Sequence, residues 1–336
     1  MTPAGGPGSV WPGFFYARAR LRLTSLPGDG IFPADMQTLT RLSPAKINLT
    51  LRVTGRRPDG FHDLESLVAC VSLADRVTIA LGEQTGWTVT CSDPAIPCDE
   101  CNLAVRAAVR FAERVGGPVG GHIDIQKRIP AGSGLGGGSS NAATVLAMLN
   151  DLLGSRLPEA ELVALGAEIG SDVALFFRGP LCVMRGRGEL VEPVEACLAA
   201  ELLLFLPGIH SATPAVYAAW DRRGEQAVRP EVGFVVAGLA QPERLADLLF
   251  NDLEEPAVAI SRELADFASE LRAACPLPVW MSGSGSAFFC LEAEGSPVIT
   301  VAENKLRQVM PDLRVERVRV WEPPPADQPE VSTSPR

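Results

Sequence analysis

The stretch that decides the fold reads Pro130-Ala131-Gly132-Ser133-Gly134-Leu135-Gly136-Gly137-Gly138-Ser139-Ser140-Asn141. Five glycines fall within seven of these residues. Glycine adopts backbone conformations that other residues avoid, and it lets a ligand or another backbone approach closely. We therefore predict a shaped loop here rather than part of a regular element.

A helix is predicted directly behind this loop. Its apolar side chains recur at helical spacing, at Ala142, Val145, Leu146, Leu149, Leu152 and Leu153. Ser139, Ser140 or Asn141 is expected to cap its N-terminus. Since backbone N–H groups and the positive end of the helix dipole meet at such a point, the loop is predicted to bind phosphate.

Other interpretations of the loop are weaker. A flexible linker seldom leads through capping residues into an amphipathic helix. Gly132, Gly134 and Gly137 satisfy G-x-G-x-x-G, but the preceding residues 122–129 alternate like a half-exposed antiparallel strand and another helix follows, which disfavours a dinucleotide site. The sequence has no Gly-Lys-Ser/Thr, so the loop is not of the Walker kind and needs its chemistry supplied from elsewhere in the chain.

Length and composition limit the class of protein. The 336 residues suggest two domains, and 46% hydrophobic residues suffice for a core. A net charge of −10 argues against a general nucleic-acid binder. The chain shows neither a run of eighteen apolar residues nor a secretory signal, so we expect no membrane span and a cytoplasmic protein.

The eight cysteines are expected to be reduced thiols, several of them acting as small core residues. Cys98 and Cys101, together with Cys91 and His122, offer an alternative zinc site. A structural zinc site usually brings two spaced pairs, which disfavours that alternative.

The order of predicted elements is that of an α+β protein. Strands are expected at 45–53, 64–73, 76–81 and 87–91, and helices at 102–115, 159–169, 242–250 and 253–274. We predict an N-terminal domain over 39–197 and a C-terminal domain over 198–321. Residues 1–38 are expected to be a disordered or mis-started extension, and 322–336 a disordered tail.

Lysine is rare in this chain, with three against twenty-seven arginines. Lys127 and Lys305 are expected to be solvated. Lys46 lies on the first predicted strand, where a compact ammonium could serve as a point charge that a guanidinium cannot replace. An ordinary strand lysine is the alternative.

Three segments together resemble the motifs of the GHMP small-molecule kinases. They are Ser43–Leu49, Gly134–Ser140 and Gly283–Ser286. Residues 56–62, Arg-Arg-Pro-Asp-Gly-Phe-His, further resemble a segment peculiar to the members that phosphorylate 4-diphosphocytidyl-2-C-methyl-D-erythritol in the non-mevalonate isoprenoid pathway. The likeness spans about residues 41–321.

The resemblance implies a two-domain GHMP architecture, with an N-terminal mixed or antiparallel sheet with helices and a C-terminal ferredoxin-like α/β sandwich. It implies an ATP-dependent kinase acting on the 2-hydroxyl of that substrate, with Mg²⁺ bridging the ATP phosphates. Lys46 and Asp172 would form the catalytic pair, Asp172 as base and Lys46 stabilising the alkoxide. The loop Pro130–Ser140 would bind ATP. For Asp172, the alternative to the catalytic role is that it simply caps the next helical turn.

The substrate-binding residues implied by the resemblance are Asn48, Phe61, His62 and Tyr217. Phe61 stands where relatives more often have tyrosine, and Tyr217 could instead be a core residue. The Gly283–Gly285 turn is expected to press the second domain against the phosphate loop. The alternatives are another GHMP kinase of mevalonate or homoserine type, a nicotinamide-dependent oxidoreductase and non-catalytic binding; oligomeric state stays open.

Overall fold

The computed structural model describes residues 37–322, except for 84, 118, 155 and 224–226. Apart from residues 37, 38 and 322, the predicted extension 1–38 and tail 322–336 lie outside the described residues. Helices and strands both contribute substantially, which confirms the α+β class.

The strands are, in chain order, β1 (Thr38–Asn48), β2 (Thr50–Arg56), β3 (His62–Gly82), β4 (Gly86–Cys91), β5 (Gly120–Gln126), β6 (Leu181–Gly186), β7 (Leu190–Pro193), β8 (Ala200–Leu206), β9 (Phe250–Asn251), β10 (Trp280–Met281), β11 (Phe288–Ala293) and β12 (Arg314–Arg319). The helices are α1 (Leu103–Val115), α2 (Gly137–Leu152), α3 (Glu159–Ile169), α4 (Thr213–Trp220), α5 (Val232–Gly238), α6 (Pro242–Leu245), α7 (Glu254–Ile260), α8 (Arg262–Ala274) and α9 (Pro297–Val309). Short 3-10 turns lie at Ala174–Phe177 and Ala246–Leu248.

Within the described residues, the strands form two sheets. β3 is the long central strand of the first sheet and pairs antiparallel with β1, β2, β5 and β6. β4 is parallel to β5, and β9 adds a short parallel pair beside β2, so the first sheet is mixed. The second sheet has the order β10-β11-β8-β12 and is antiparallel. Because β9 comes from the second half of the chain but joins the first sheet, the boundary at 197/198 stays a prediction.

The core of the first half surrounds α2. Most of α2 is buried, and it packs against α1, α3 and β1. Leu146, Met148 and Leu149 are fully buried, and so is Phe111 of α1. A helix that is apolar on most of its surface is stable only as an interior element. This burial fixes the position of the loop in front of α2.

Several predicted elements differ from the structure. The strand expected at 45–53 is divided at Leu49 between β1 and β2. Strands 64–73 and 76–81 are one continuous strand, β3, because a register shift between Pro44 and Ala45 of β1 accommodates the irregularity between them. The helix expected at 253–274 breaks at Ser261, whose Oγ accepts from Leu264 N and caps a new helix. The helix expected at 242–250 is a single turn and a 3-10 turn, after which the chain enters β9.

Candidate active site

The predicted phosphate loop connects β5 to α2 in a conformation that requires glycine. Gly132, Gly134 and Gly136 have φ of 66°, 79° and 69°, in the left-handed region. Helix α2 begins at Gly137, with Gly136 at the cap position and no side-chain hydrogen bond there. The first N–H groups of α2 therefore face the loop with no side-chain cap, as an anion site requires.

The predicted capping residues do not cap this helix, so that prediction is wrong. Ser140 and Asn141 lie in the first turns of α2 and are buried. Ser43 Oγ lies 2.7 Å from Ser140 Oγ and 2.8 Å from Asn141 Oδ1. These hydrogen bonds attach α2 to β1. The start of the helix is determined by the glycine conformations and not by a side-chain cap.

The turn Gly283–Gly285 lies against the phosphate loop, as expected. A Cβ on Gly134 would lie 2.4 Å from the carbonyl oxygen of Ser282. Ala287 N donates to Ser133 O at 3.0 Å and strengthens the same contact. The loop is therefore held between the two sheets by backbone groups that tolerate no side chain at Gly134.

Lys46 lies on β1 and contacts the loop through both its backbone and its side chain. Its backbone N–H donates to Leu135 O at 2.9 Å. A Cβ on Gly136 would lie 2.9 Å from Lys46 Cγ, so glycine at 136 leaves room for the aliphatic part of the Lys46 side chain. Nζ donates to Asn48 Oδ1 at 2.7 Å and lies 3.5 Å from Asp172 Oδ2.

The two charged groups of this pair differ in exposure. The Lys46 side chain is 7% exposed, whereas that of Asp172 is 33% exposed. Asn48 is itself fixed, since its Nδ2 donates to Ser66 Oγ at 2.8 Å. The ammonium is thus held in place while the carboxylate stays accessible to a ligand.

Asp172 lies in the turn between α3 and the 3-10 turn Ala174–Phe177. No side-chain hydrogen bond caps that 3-10 turn, whose cap residue is Val173. The alternative role of Asp172 as a cap is therefore wrong. Its carboxylate is directed instead towards the cleft that Lys46 also lines.

A cleft of about 520 Å³ brings the predicted residues together. The predicted residues that line it are Lys46, Asn48, Phe61, His62, Gly134, Gly136, Asp172 and Tyr217. Of the loop Pro130–Ser140, only Gly134 and Gly136 line this cleft. Residues separated by more than 170 positions thus share one cavity of the size typical for small-molecule sites.

His62 and Tyr217 form an aromatic wall of the cleft. Their rings stack with centroids 4.7 Å apart and an interplanar angle of 25°, and Trp220 meets His62 edge-on at 5.5 Å. Burial, together with the nearby charge of Asp172, raises the pKa of Tyr217 to about 12. The phenol is therefore neutral at physiological pH and available as a flat apolar surface.

Phe61 is exposed at the tip of the hairpin between β2 and β3. Arg57 N donates to Phe61 O at 2.8 Å, and Asp59 Oδ1 accepts from Phe61 N at 3.1 Å. Gly60 supplies the positive φ of 87° that the turn needs. The guanidinium of Arg187 lies 5.0 Å from the Phe61 ring centroid, a cation–π distance.

Three charged residues of the cleft were missed by the sequence analysis. Arg56, Arg187 and Asp221 all line it, and Asp221 contacts both His62 and Arg56. Arg56 belongs to the 56–62 segment, but nothing in the sequence distinguished it from the other arginines. Asp221 follows α4, and no local pattern links it to a histidine 159 positions earlier.

The prediction that Lys127 is solvated is wrong. Its ammonium forms an ion pair with Asp75, and the two side chains are 7% and 0% exposed. Asp75 Oδ1 also accepts from the backbone N–H groups of Arg128 at 2.7 Å and Ile129 at 2.9 Å. A Cβ on Gly137 would lie 3.1 Å from Lys127 Nζ, so this amine adjoins the start of α2. The scarcity of lysine was the signal that could have found it.

The cysteines are free thiols, with Cys98, Cys101 and Cys197 exposed. Burial raises the pKa of Cys182 to about 12, so this thiol is a neutral core group. Across the part of the chain that the structure describes, no three His, Cys, Asp or Glu side chains are arranged to hold a metal ion. Within the same residues, no helix is both long and apolar enough to cross a membrane.

Comparison with known families and proteins gives consistent matches. The family model described as the GHMP kinases N terminal domain matches residues 102–180. A 4-diphosphocytidyl-2-C-methyl-D-erythritol kinase of Desulfotalea psychrophila is 37% identical over 281 residues, covering 81% of this chain and 91% of the relative.

Solved structures agree with these matches. A crystal structure of 4-(cytidine 5'-diphospho)-2C-methyl-D-erythritol kinase superposes with a TM-score of 0.68 at 38% identity, covering 83% of this chain and 98% of the other. A homoserine kinase from Cytophaga hutchinsonii shares the fold, with a TM-score of 0.65 at 18% identity, covering 86% of this chain and 96% of the other.

Proposed function

This chain belongs to the 4-diphosphocytidyl-2-C-methyl-D-erythritol kinases, a branch of the GHMP kinases, and from that membership we propose how its residues divide the work of phosphoryl transfer. The protein is an ATP-dependent kinase of the non-mevalonate isoprenoid pathway, as the sequence predicted. One observation supports placing the reaction in the cleft: Lys46 Nζ approaches Asp172 Oδ2 to 3.5 Å beside the glycines of the phosphate loop.

The loop Pro130–Ser140 is proposed to hold the ATP phosphates. Backbone N–H groups at the uncapped start of α2 and the positive end of its dipole favour negative charge there. Mg²⁺, which proteins usually hold through substrate phosphates, water and few side chains, would accompany the nucleotide. When bound, it would neutralise charge that develops on the phosphates.

Asp172 is proposed to act as the general base. Its accessible carboxylate would take the proton of the 2-hydroxyl as that oxygen bonds to the γ-phosphorus and the bond to the β-phosphate oxygen breaks, releasing ADP. Lys46, held by Asn48, would stabilise the negative charge that grows on the attacking oxygen. The protein thereby contributes positioning and charge compensation, which dominate catalysis of phosphoryl transfer.

The aromatic wall is proposed to bind the cytidine end of the substrate. Phe61 and Tyr217 offer ring surfaces on which a flat base can stack, and the His62 ring would read the edge of that base. The guanidinium groups of Arg56 and Arg187 line the same cleft and would offset the diphosphate charge in a protein whose net charge is −10.

The test is ADP release from MgATP with 4-diphosphocytidyl-2-C-methyl-D-erythritol, mevalonate, homoserine or no acceptor. We expect ADP only with the cytidylyl substrate. Turnover with mevalonate or homoserine instead would leave the Lys46–Asp172 pair in place and remove the proposed cytidine site.

The role of Asp172 is tested with Asp172→Asn. We expect kcat to fall by about 10²–10⁴ with substrate binding largely retained, because the carboxamide cannot accept the proton. Asp266→Asn is the matched control, since Asp266 is an exposed residue of α8 that pairs with Arg262 of the same helix. Wild-type turnover by Asp172→Asn would show that another group is the base.

A further inference from the structure

We propose that Asp221 is a positioning residue that fixes the tautomer of His62 and thereby makes the cleft select a cytosine over a uracil base. This inference rests on the proposed function, in which His62 lies beside the base of the substrate. It assigns a role to a carboxylate that no sequence motif contains, and it explains how one imidazole could discriminate between two bases of nearly identical shape.

A hydrogen bond joins the side chains of His62 and Asp221. His62 Nε2 lies 2.7 Å from Asp221 Oδ1. An ionised carboxylate only accepts hydrogen bonds, so the proton of this bond must be on Nε2. The partner of one ring nitrogen thus determines what the other nitrogen can do.

Neighbouring side chains hold both His62 and Asp221 in place. The His62 side chain is 8% exposed, between the stacked ring of Tyr217 and the edge of Trp220. Asp221 is the C-terminal cap residue of α4, and its Oδ2 lies 3.5 Å from an Arg56 guanidinium nitrogen. Because Arg56 and His62 are paired across β2 and β3, a single hairpin positions both partners of the carboxylate.

The other ring nitrogen of His62 is Nδ1. In neutral His62 with the proton on Nε2, Nδ1 is an acceptor. Across the described part of the chain, Nδ1 makes no hydrogen bond. Cytosine presents a 4-amino donor where uracil presents a 4-oxo acceptor. An acceptor at this point matches cytosine and leaves two acceptors facing each other with uracil.

Asp221→Asn removes this control with little change in shape. A carboxamide either accepts from Nε2–H or donates to an unprotonated Nε2, so both tautomers of His62 become available. An unmatched buried polar contact costs about 1–3 kcal/mol, which corresponds to roughly 5- to 150-fold in affinity. We expect the cytidine-over-uridine preference to fall by about tenfold or more in this variant.

The experiment measures kcat/KM for the cytidine substrate and for its uridine counterpart, and the affinities for CDP and UDP. In Asp221→Asn, the loss should appear as a higher KM for the cytidine substrate with kcat retained, and as a smaller ratio of CDP to UDP affinity. Asp221→Glu, which restores a carboxylate, should recover part of the preference. Asp266→Asn, away from the cleft, should keep all of it.

A spectroscopic readout separates tautomer control from a structural role. The chain has three histidines, so the ¹⁵N shifts of the His62 ring can be assigned by comparison with His62→Gln. We expect a protonated Nε2 in the wild type and a mixture of tautomers in Asp221→Asn. A protonated Nδ1 in the wild type, or an unchanged base preference in Asp221→Asn, would overturn the inference. No transfer to the cytidine substrate by the wild type would instead refute the proposed function, while the ring shifts would still decide the tautomer.

Discussion

Asp75→Asn is expected to lower the free energy of unfolding by about 3–5 kcal/mol, the usual effect of removing one partner of a buried ion pair. Asn retains an oxygen that can accept from the N–H groups of Arg128 and Ile129. It removes the negative charge opposite Lys127, whose side chain is 7% exposed. The expected loss of stability therefore arises because the Lys127 ammonium stays buried without a counter-charge.

A double variant isolates that charge. Asp75→Asn with Lys127→Met replaces the ion pair by an uncharged pair of similar volume, and replacement of a buried ion pair by uncharged residues is often close to neutral in stability. We expect it to recover more than half of the stability lost in Asp75→Asn. The two residues would then show a coupling free energy of at least about 2 kcal/mol in the double-mutant cycle.

The assay is urea unfolding followed by far-ultraviolet circular dichroism and by tryptophan fluorescence. Agreement between the two probes establishes that one cooperative transition is being measured. A loss below about 1 kcal/mol in Asp75→Asn would refute the reasoning, because it would mean that solvent screens Lys127 as it does at a surface. Failure of Lys127→Met to rescue would refute it as well.

Two further predictions concern the loop and the aromatic wall. Gly134→Ala should lower the free energy of unfolding by at least about 1–2 kcal/mol, because φ is 79° and the new Cβ would lie 2.4 Å from Ser282 O. Gly138→Ala, in α2, should raise the free energy of unfolding by about 0.5–1 kcal/mol, because its new Cβ would lie 3.6 Å from Leu103 Cδ1, an ordinary contact distance. Both are measured in the same urea assay, and equal effects of the two variants would contradict the packing argument. Tyr217 should ionise near pH 12 in a spectrophotometric titration compared with Tyr217→Phe. Because its pKa is raised on folding, its contribution to stability is complete below about pH 10 and is lost as the pH rises towards 12. Ionisation near pH 10 would contradict the burial argument.

Much of the fold and the site could be predicted from short segments. The glycine loop, the apolar periodicity of α2, and the segments that contain Lys46, His62 and Gly283 identified the kinase family correctly. The information is local, since glycine conformations and helical periodicity depend on residues a few positions apart. The resemblance to the family then grouped these distant segments into a single predicted site.

Other features depend on how the chain folds. Lys127 and Lys305 looked alike in sequence, yet one is buried against Asp75 and the other is exposed. Ser140 and Asn141 had the composition of caps but serve to attach α2 to β1.

The amino-acid sequence was therefore sufficient to predict the glycine loop, the helix behind it and the membership in the kinase family. Which charges are paired, which are buried, and that Asp221 bonds to His62 became apparent only in the folded chain. The difference arises because backbone conformation is set largely by neighbours along the chain. The environment of a charged side chain is set by residues that folding brings to it, often from more than a hundred positions away.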